Sequence, residues 1–289
     1  MPVHERSRPA ARGKRSPSLG EDVTQWQEGS PISATPVLET RDLTIRFGGH
    51  VAVNAVSCAF AAGTLTAIVG PNGAGKTTYF NLISGQLSAS SGAVLLKGRN
   101  LAGMPASART AAGLGRAFQL TNLFPNLSVA ENIRLAIQAR AGAGLDLWNV
   151  WSARRELLAQ AERVLEQVAL AGRRNALAAS LPHGDQRKLE VGMLLALEPA
   201  VFMFDEPTAG MSVDEVPVIL DLIHRIKADK TKTILLVEHK MDVVRELADR
   251  IIVLHNGSLM ADGEPEAVIA SPVVQEAYLG VAPAPGAAA

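Results

Sequence analysis

The stretch Leu65-Thr66-Ala67-Ile68-Val69-Gly70-Pro71-Asn72-Gly73-Ala74-Gly75-Lys76-Thr77-Thr78 decides the fold. Its first part, Leu65 to Val69, is uncharged and apolar enough to be a strand buried on both faces. The part from Gly70 to Thr77 satisfies G-x-x-x-x-G-K-[ST] in full, and Thr77 to Ile83 reads as the opening of a helix. Glycines let successive backbone N–H groups curl inward, and the helix N-terminus adds the positive end of its dipole. The segment is therefore a cradle for phosphate oxygens. In such a cradle Lys76 reaches the β- and γ-phosphates and the Thr77 hydroxyl ligates Mg²⁺. Gly70, Pro71, Asn72, Gly73, Ala74, Gly75 and Thr78 supply the rest of the loop. Alone, the loop means only a nucleotide, and leaves kinases, GTPases, recombinases and transporters open.

Working outward, Leu38 to Phe47 and Val51 to Phe60 read as antiparallel strands joined at Gly48-Gly49, and Val94 to Lys97 as another strand. A mostly helical stretch runs from Val129 to Leu197, interrupted by Gly142, Gly144 and Gly172. Beyond it come strand Val201 to Phe204, a helix near Val216 to Lys227, strand Thr233 to Val237, a helix near Met241 to Leu247 and strand Ile251 to Leu254. Strands alternating with helices imply a largely parallel sheet covered on both faces, with the helical block inserted as a subdomain. Residues 1–36, rich in Arg, Ser and Pro, read as a disordered leader, and 281–289 as a disordered tail. The expected folded domain spans 37–280, its helical subdomain about 120–197.

Val201-Phe202-Met203-Phe204-Asp205-Glu206-Pro207 supplies a second constellation. Four apolar residues bury a central strand, and Asp205 emerges at its carboxyl end, where open α/β sheets bind ligands. An Asp there holds Mg²⁺, usually through water. Glu206 beside it is placed to polarise an attacking water as general base. Read without the loop, the pair serves equally well as a helix N-cap and a solvated Glu.

Composition narrows the partners. Twenty-eight Lys and Arg balance twenty-eight Asp and Glu, so the basic excess typical of a nucleic-acid binder is missing and no nucleic-acid partner is expected. Cys58 is the one cysteine, so no intrachain disulfide can form; with no secretory signal read at the N-terminus, a reducing cytosol is expected. No apolar run reaches the roughly 18 residues needed to cross a bilayer, so a membrane role must come from docking onto another protein.

Five further elements fall in the order and spacing of ABC ATPases, and the chain resembles that family over about 38–280. Phe47 lies where the family carries an aromatic that stacks on adenine. Gln119 matches the Q-loop glutamine that senses Mg²⁺, the γ-phosphate and the membrane partner. Leu181-Pro182-His183-Gly184-Asp185-Gln186-Arg187 occupies the position of the signature, which contacts ATP held by the other subunit. Ala209-Gly210-Met211-Ser212 matches the D-loop, and His239 in Val237-Glu238-His239 the switch histidine. The resemblance implies an α/β P-loop NTPase (RecA-like) core with an antiparallel β subdomain and an inserted helical subdomain. It implies catalytic roles for Glu206, His239 and Gln119, metal ligands Thr77, Gln119 and Asp205, and ATP with Mg²⁺ as the cofactors.

Two departures stand out against that pattern. The family signature is usually Leu-Ser-Gly-Gly-Gln; here Pro182 replaces the serine and His183 the first glycine, removing a hydroxyl and an N–H donor. Ser212 stands where the D-loop commonly has Asp. Within the family, Phe47-Gly48-Gly49 with Ala52-Val53-Asn54, the run Asp205 to Met211, the lengthened segment Gln138 to Trp151 and Glu276-Ala277-Tyr278-Leu279-Gly280 are similar to ATPase subunits of branched-chain amino acid uptake systems. The resemblance then implies a second ATPase subunit, integral membrane permeases, a periplasmic substrate-binding protein and a place on the cytoplasmic face of the inner membrane. ATPases for urea or amide uptake or lipid export share parts of the pattern. A soluble ATPase acting on ribosomes or DNA would more often carry two motif sets, a non-hydrolysing regulator would fit Pro182 and Ser212, and a P-loop kinase has no use for the signature, Q-loop and switch histidine together.

Overall fold

The computed structural model describes residues 36–117, 123–141 and 150–279. The expected leader up to residue 35, Gln119, the centre of the Gln138 to Trp151 segment and the tail lie outside them.

Strands β1 (Leu38–Phe47) and β2 (His50–Phe60) form the expected hairpin, Phe47 opposite His50 across the two-glycine turn. β3 (Leu65–Val69) leads into helix α1 (Lys76–Ser84). β4 (Ser91–Leu96) and the short β5 (Arg99–Asn100) follow; Lys97, read as the end of a strand, instead turns the chain with Gly98, both at positive φ. That is the geometry of a type I′ hairpin turn. Then come α2 (Ala106–Ala111), β6 (Leu114–Ala117), α3 (Val129–Arg140), α4 (Val150–Gln167), α5 (His183–Leu197), β7 (Val201–Asp205), α6 (Val216–Ala228), β8 (Thr233–Val237) and α7 (Met241–Leu247). The chain closes with β9 (Arg250–His255), β10 (Ser258–Gly263), α8 (Pro265–Ala270) and α9 (Pro272–Leu279).

Two sheets result. The smaller is antiparallel, in the order β2-β1-β4-β5; the larger is β10-β9-β3-β8-β7-β6, parallel except for the β9–β10 hairpin. Every residue of β3, β7 and β8 is buried, as a strand covered on both faces requires. Alternation then sorts the side chains. Val201, Met203, Leu235 and Val237 face Tyr79 and Phe80 of α1 and the smaller sheet. Phe202, Phe204, Ile234 and Leu236 face α5 and α6, in a core continuous with that of α3 and α4. The helical block thus shares its apolar interior with the sheet. All the parallel strands end on one side, and β3, β7 and β8 lie adjacent, so the segments following them converge.

β6 and β10 are strands that the pattern of apolar residues does not announce. β6 carries Gly115 and Arg116, and β10 is half-buried throughout. For β10 a local signal existed: Asn256-Gly257, both at positive φ, set the turn that pairs His255 with Ser258.

Candidate nucleotide site

The loop after β3 takes the shape its glycines permit. Gly70 has φ 153° and Gly75 φ 96°, and a Cβ on either would lie 2.2 Å from the Leu254 carbonyl oxygen or 2.5 Å from that of Ala52. Both contacts are with backbone of the elements behind the loop, which has little room to yield. The lysine that follows is the first residue of α1; its ammonium donates to the carbonyls of Gly70 at 2.7 Å and Pro71 at 3.0 Å. Burial holds Lys76 below the usual lysine range, while the nearby carboxylates of Glu206 and Asp205 pull the other way.

A cavity of about 340 Å³ opens over this loop. Asn72 to Thr78 form one wall, and Glu206, from the segment after β7, with His239, from the segment after β8, form another. His239 Nε2 and Glu206 Oε1 are 2.7 Å apart. Glu206 is held at φ 50°, an uncommon conformation for a residue with a side chain and one that clusters at functional sites. A larger groove, about 760 Å³, between Arg245, Asp249 and Glu264 contains none of the motif residues.

Asp205 ends β7 rather than capping a helix, so the N-cap reading of the acidic pair is excluded. Its side chain is fully buried, and Oδ2 accepts from Arg116 at 2.7 Å. Burial pushes its carboxyl above the usual range, and Arg116 partly opposes this. Among the described residues, Oδ1 has no hydrogen-bond partner. No group of three or more His, Cys, Asp and Glu among them is arranged to hold a metal unaided. A divalent cation here would take the Thr77 hydroxyl and Asp205 Oδ1 as protein donors, with phosphate oxygens and water in the rest of its shell.

Other predicted residues are placed apart. Phe47, half exposed at the tip of the β1–β2 hairpin, is not among the residues lining the cavity; its strand partner His50, given no role from sequence, is. Pro182 precedes α5 in an extended conformation, and His183 starts the helix. Gly184 lies against the Glu215 carboxylate, which also accepts from the Ser212 N–H and hydroxyl, at 3.1 and 3.0 Å. Gln186 donates to the Leu181 carbonyl, and Asp185 pairs with Arg173 and Lys188. None of Leu181 to Gln186 lines the cavity of its own chain. A profile described as "ABC transporter" matches residues 53–209, more than half of the chain.

The chain belongs to the ABC transporter family. It is 37% identical over 252 residues to the high-affinity branched-chain amino acid transport ATP-binding protein LivG of Escherichia coli (strain K12), covering 86% of this chain and 99% of that one. Identity to BraF of Pseudomonas aeruginosa, which carries the same description, is 36% over equal coverage of both chains. Among solved structures, the ADP conformation of an ABC transporter's ATP-binding cassette superposes with a TM-score of 0.72 at 28% identity, covering 85% of this chain and 99% of the other. A nucleotide-free cassette gives 0.73 at 27%, covering 85% and 100%. No helix among the described residues of this ABC transporter chain is long and apolar enough to cross a membrane.

Three residues of the site were given no role of their own by the motif reading. Arg116 fans out from β6 to Asn81 and Ser84 of α1, to Gln86 and to Asp205, and its Cζ lies 5.5 Å from the centre of the Phe80 ring. Its one local signal is a charge inside the otherwise apolar run Leu114 to Phe118. Arg187, on α5, donates to the Glu206 carbonyl at 3.2 Å and the Pro207 carbonyl at 3.4 Å. Glu238, beside His239, is buried.

Proposed function

We propose that the chain is the ATP-binding and ATP-hydrolysing subunit that powers import of branched-chain or other hydrophobic amino acids. The observation that carries this reading is the meeting of Glu206 and His239, 2.7 Å apart, over a complete phosphate loop. The 37% identity to a branched-chain amino acid transport ATP-binding protein across nearly its whole length supports the cargo class.

In this reading the loop N–H groups and Lys76 hold the β- and γ-phosphates, and Phe47 stacks on the base, an interaction worth about 1–3 kcal/mol with little demand on base identity. Thr77, Gln119 and Asp205 are the residues that would hold Mg²⁺, which when bound would neutralise charge on the phosphate oxygens. Glu206 orients the attacking water and takes its proton; His239, released from Glu206, donates to the γ-phosphate as negative charge moves there. Gln119 senses the nucleotide and the membrane partner. The signature, Leu181 to Gln186, sits away from its own chain's cavity, as expected of a segment completing the site of a second ATPase subunit, identical or related.

Residues 37–280 make one ATPase domain, with the helical part at about 120–197 carrying the docking surface for permease subunits. There Phe124 is half exposed on a loop that the buried Asn132 pins, accepting from the Phe124 N–H at 2.8 Å and donating to the Ser128 carbonyl at 2.9 Å. The chain then sits on the cytoplasmic face of the inner membrane, with a periplasmic binding protein delivering the amino acid.

The test is Glu206→Gln in the full-length chain with the subunits that co-purify with it. ATP binding should persist while turnover falls by roughly 10²–10⁴-fold, the usual contribution of a general base. Turnover near wild type removes Glu206 from that role, and stimulation by urea rather than leucine moves the cargo assignment.

A further inference from the structure

We infer that Glu238 is a positioning residue that sets His239 against Glu206, through a buried bond joining the segment after β8 to the segment after β7. The inference rests on the roles given above to Glu206 and His239.

Glu238 follows β8 directly and is only 2% exposed. A carboxyl group buried to this degree is tolerated where protein donors replace water. Three do so. The Thr208 hydroxyl donates to Oε1, while the N–H groups of His239 and Lys240 donate to Oε2 at 2.8 and 3.2 Å. One side chain thus fixes the backbone of the switch histidine and the start of α7. Its other oxygen reaches across to Thr208, two residues beyond Glu206.

The two segments are tied at three points. The Glu206 N–H donates to the Val237 carbonyl at 2.9 Å, Glu206 Oε1 meets His239 Nε2 at 2.7 Å, and Thr208 meets Glu238 beneath them. The Glu206–His239 contact lies in the cavity wall and must open for His239 to turn to a phosphate. The Thr208–Glu238 bond is buried and can stay closed while it does. It therefore limits the motion to the imidazole and keeps the two backbones in register. A fixed hydrogen-bond network of this kind acts on the geometry of reacting groups rather than on the affinity for a nucleotide held elsewhere.

Steady-state ATP hydrolysis by the full-length chain, with the subunits that co-purify with it, tests this. Glu238→Ala should lower kcat roughly 10- to 100-fold, the effect of misplacing a reacting group by about 1 Å, with KM for ATP changed by less than about 3-fold. Glu238→Gln should recover to within about 3-fold of the parent, because one amide oxygen can accept both N–H groups while the amide N–H₂ donates to Thr208. Thr208→Val, close to isosteric and safe for folding if Glu238→Ala is not, should lower kcat about 3- to 10-fold. In a His239→Ala background, Glu238→Ala should add less than about 2-fold, since coupled residues are not additive. An effect that persists undiminished there, a Gln variant as impaired as Ala, or a Thr208→Val variant with parental kcat overturns the proposal alone. Parental kcat in His239→Ala itself would instead sink the reading of His239, and this inference with it.

Discussion

Replacing Arg116 by methionine isolates the buried charge at the centre of the site. The Arg116 and Asp205 side chains are 6% and 0% exposed, and their 2.7 Å bond is the one that holds Asp205 Oδ2. Methionine keeps much of the apolar stem and removes the guanidinium. Asp205 is then left with neither oxygen paired, since Oδ1 already lacks a partner among the described residues. Breaking a buried pair from one side typically costs about 3–5 kcal/mol. At about 2–4 °C per kcal/mol for a domain of this size, Tm of the nucleotide-free chain should fall by roughly 6–20 °C near neutral pH. The pH dependence has a definite sign. Burial raises the Asp205 carboxyl in the folded state, so its contribution to stability is present below the unfolded value and lost as pH rises through the folded one. Without Arg116 the folded value moves further up, and the variant's deficit should be larger at about pH 7.5 than at about pH 5.5. Adding Asp205→Asn should recover at least half of the loss, because removing both partners is far milder than orphaning one. Thermal denaturation of the full-length chain at both pH values measures all of this. A fall in Tm below about 2 °C at neutral pH, or equal deficits at the two pH values, refutes the reasoning.

Two further changes probe the ends of the site. Gly75→Ala puts a Cβ 2.5 Å from the Ala52 carbonyl oxygen at φ 96°, so ATP binding by calorimetry should be lost and stability should drop by about 1–3 kcal/mol; parental affinity would mean that the loop relaxes. Gln119→Ala should lower amino acid transport by reconstituted transporter more than it lowers ATP hydrolysis; unaffected transport removes Gln119 from the coupling path.

Much of the fold was legible because its central strands are short, wholly apolar and sharply bounded. β3 and β8 run from Leu65 to Val69 and from Thr233 to Val237, and α7 from Met241 to Leu247, all at the ends expected. β6 was not, since Leu114-Gly115-Arg116-Ala117 has neither alternation nor a continuous apolar run; pairing with β7 makes it a strand. Lys76, Thr77, Glu206 and His239 could be named from motif and register, and the structure gathers them around one cavity. Cys58, the one cysteine, is buried, and that burial pushes its thiol up to about 12.

The sequence by itself determined the phosphate loop, because a cradle of backbone N–H groups is made by consecutive residues: glycines that tolerate the turns, then a lysine and a hydroxyl at a helix start. Tertiary structure decided what stabilises the charges around it. Arg116 meets Asp205, and Thr208 meets Glu238, only because β6, β7 and β8 lie side by side in parallel register, Ala117 beside Phe204 and Asp205 beside Val237. A carboxyl group buried at a strand end must find its donors in whichever segments the sheet order brings there, and no local pattern in the chain names them.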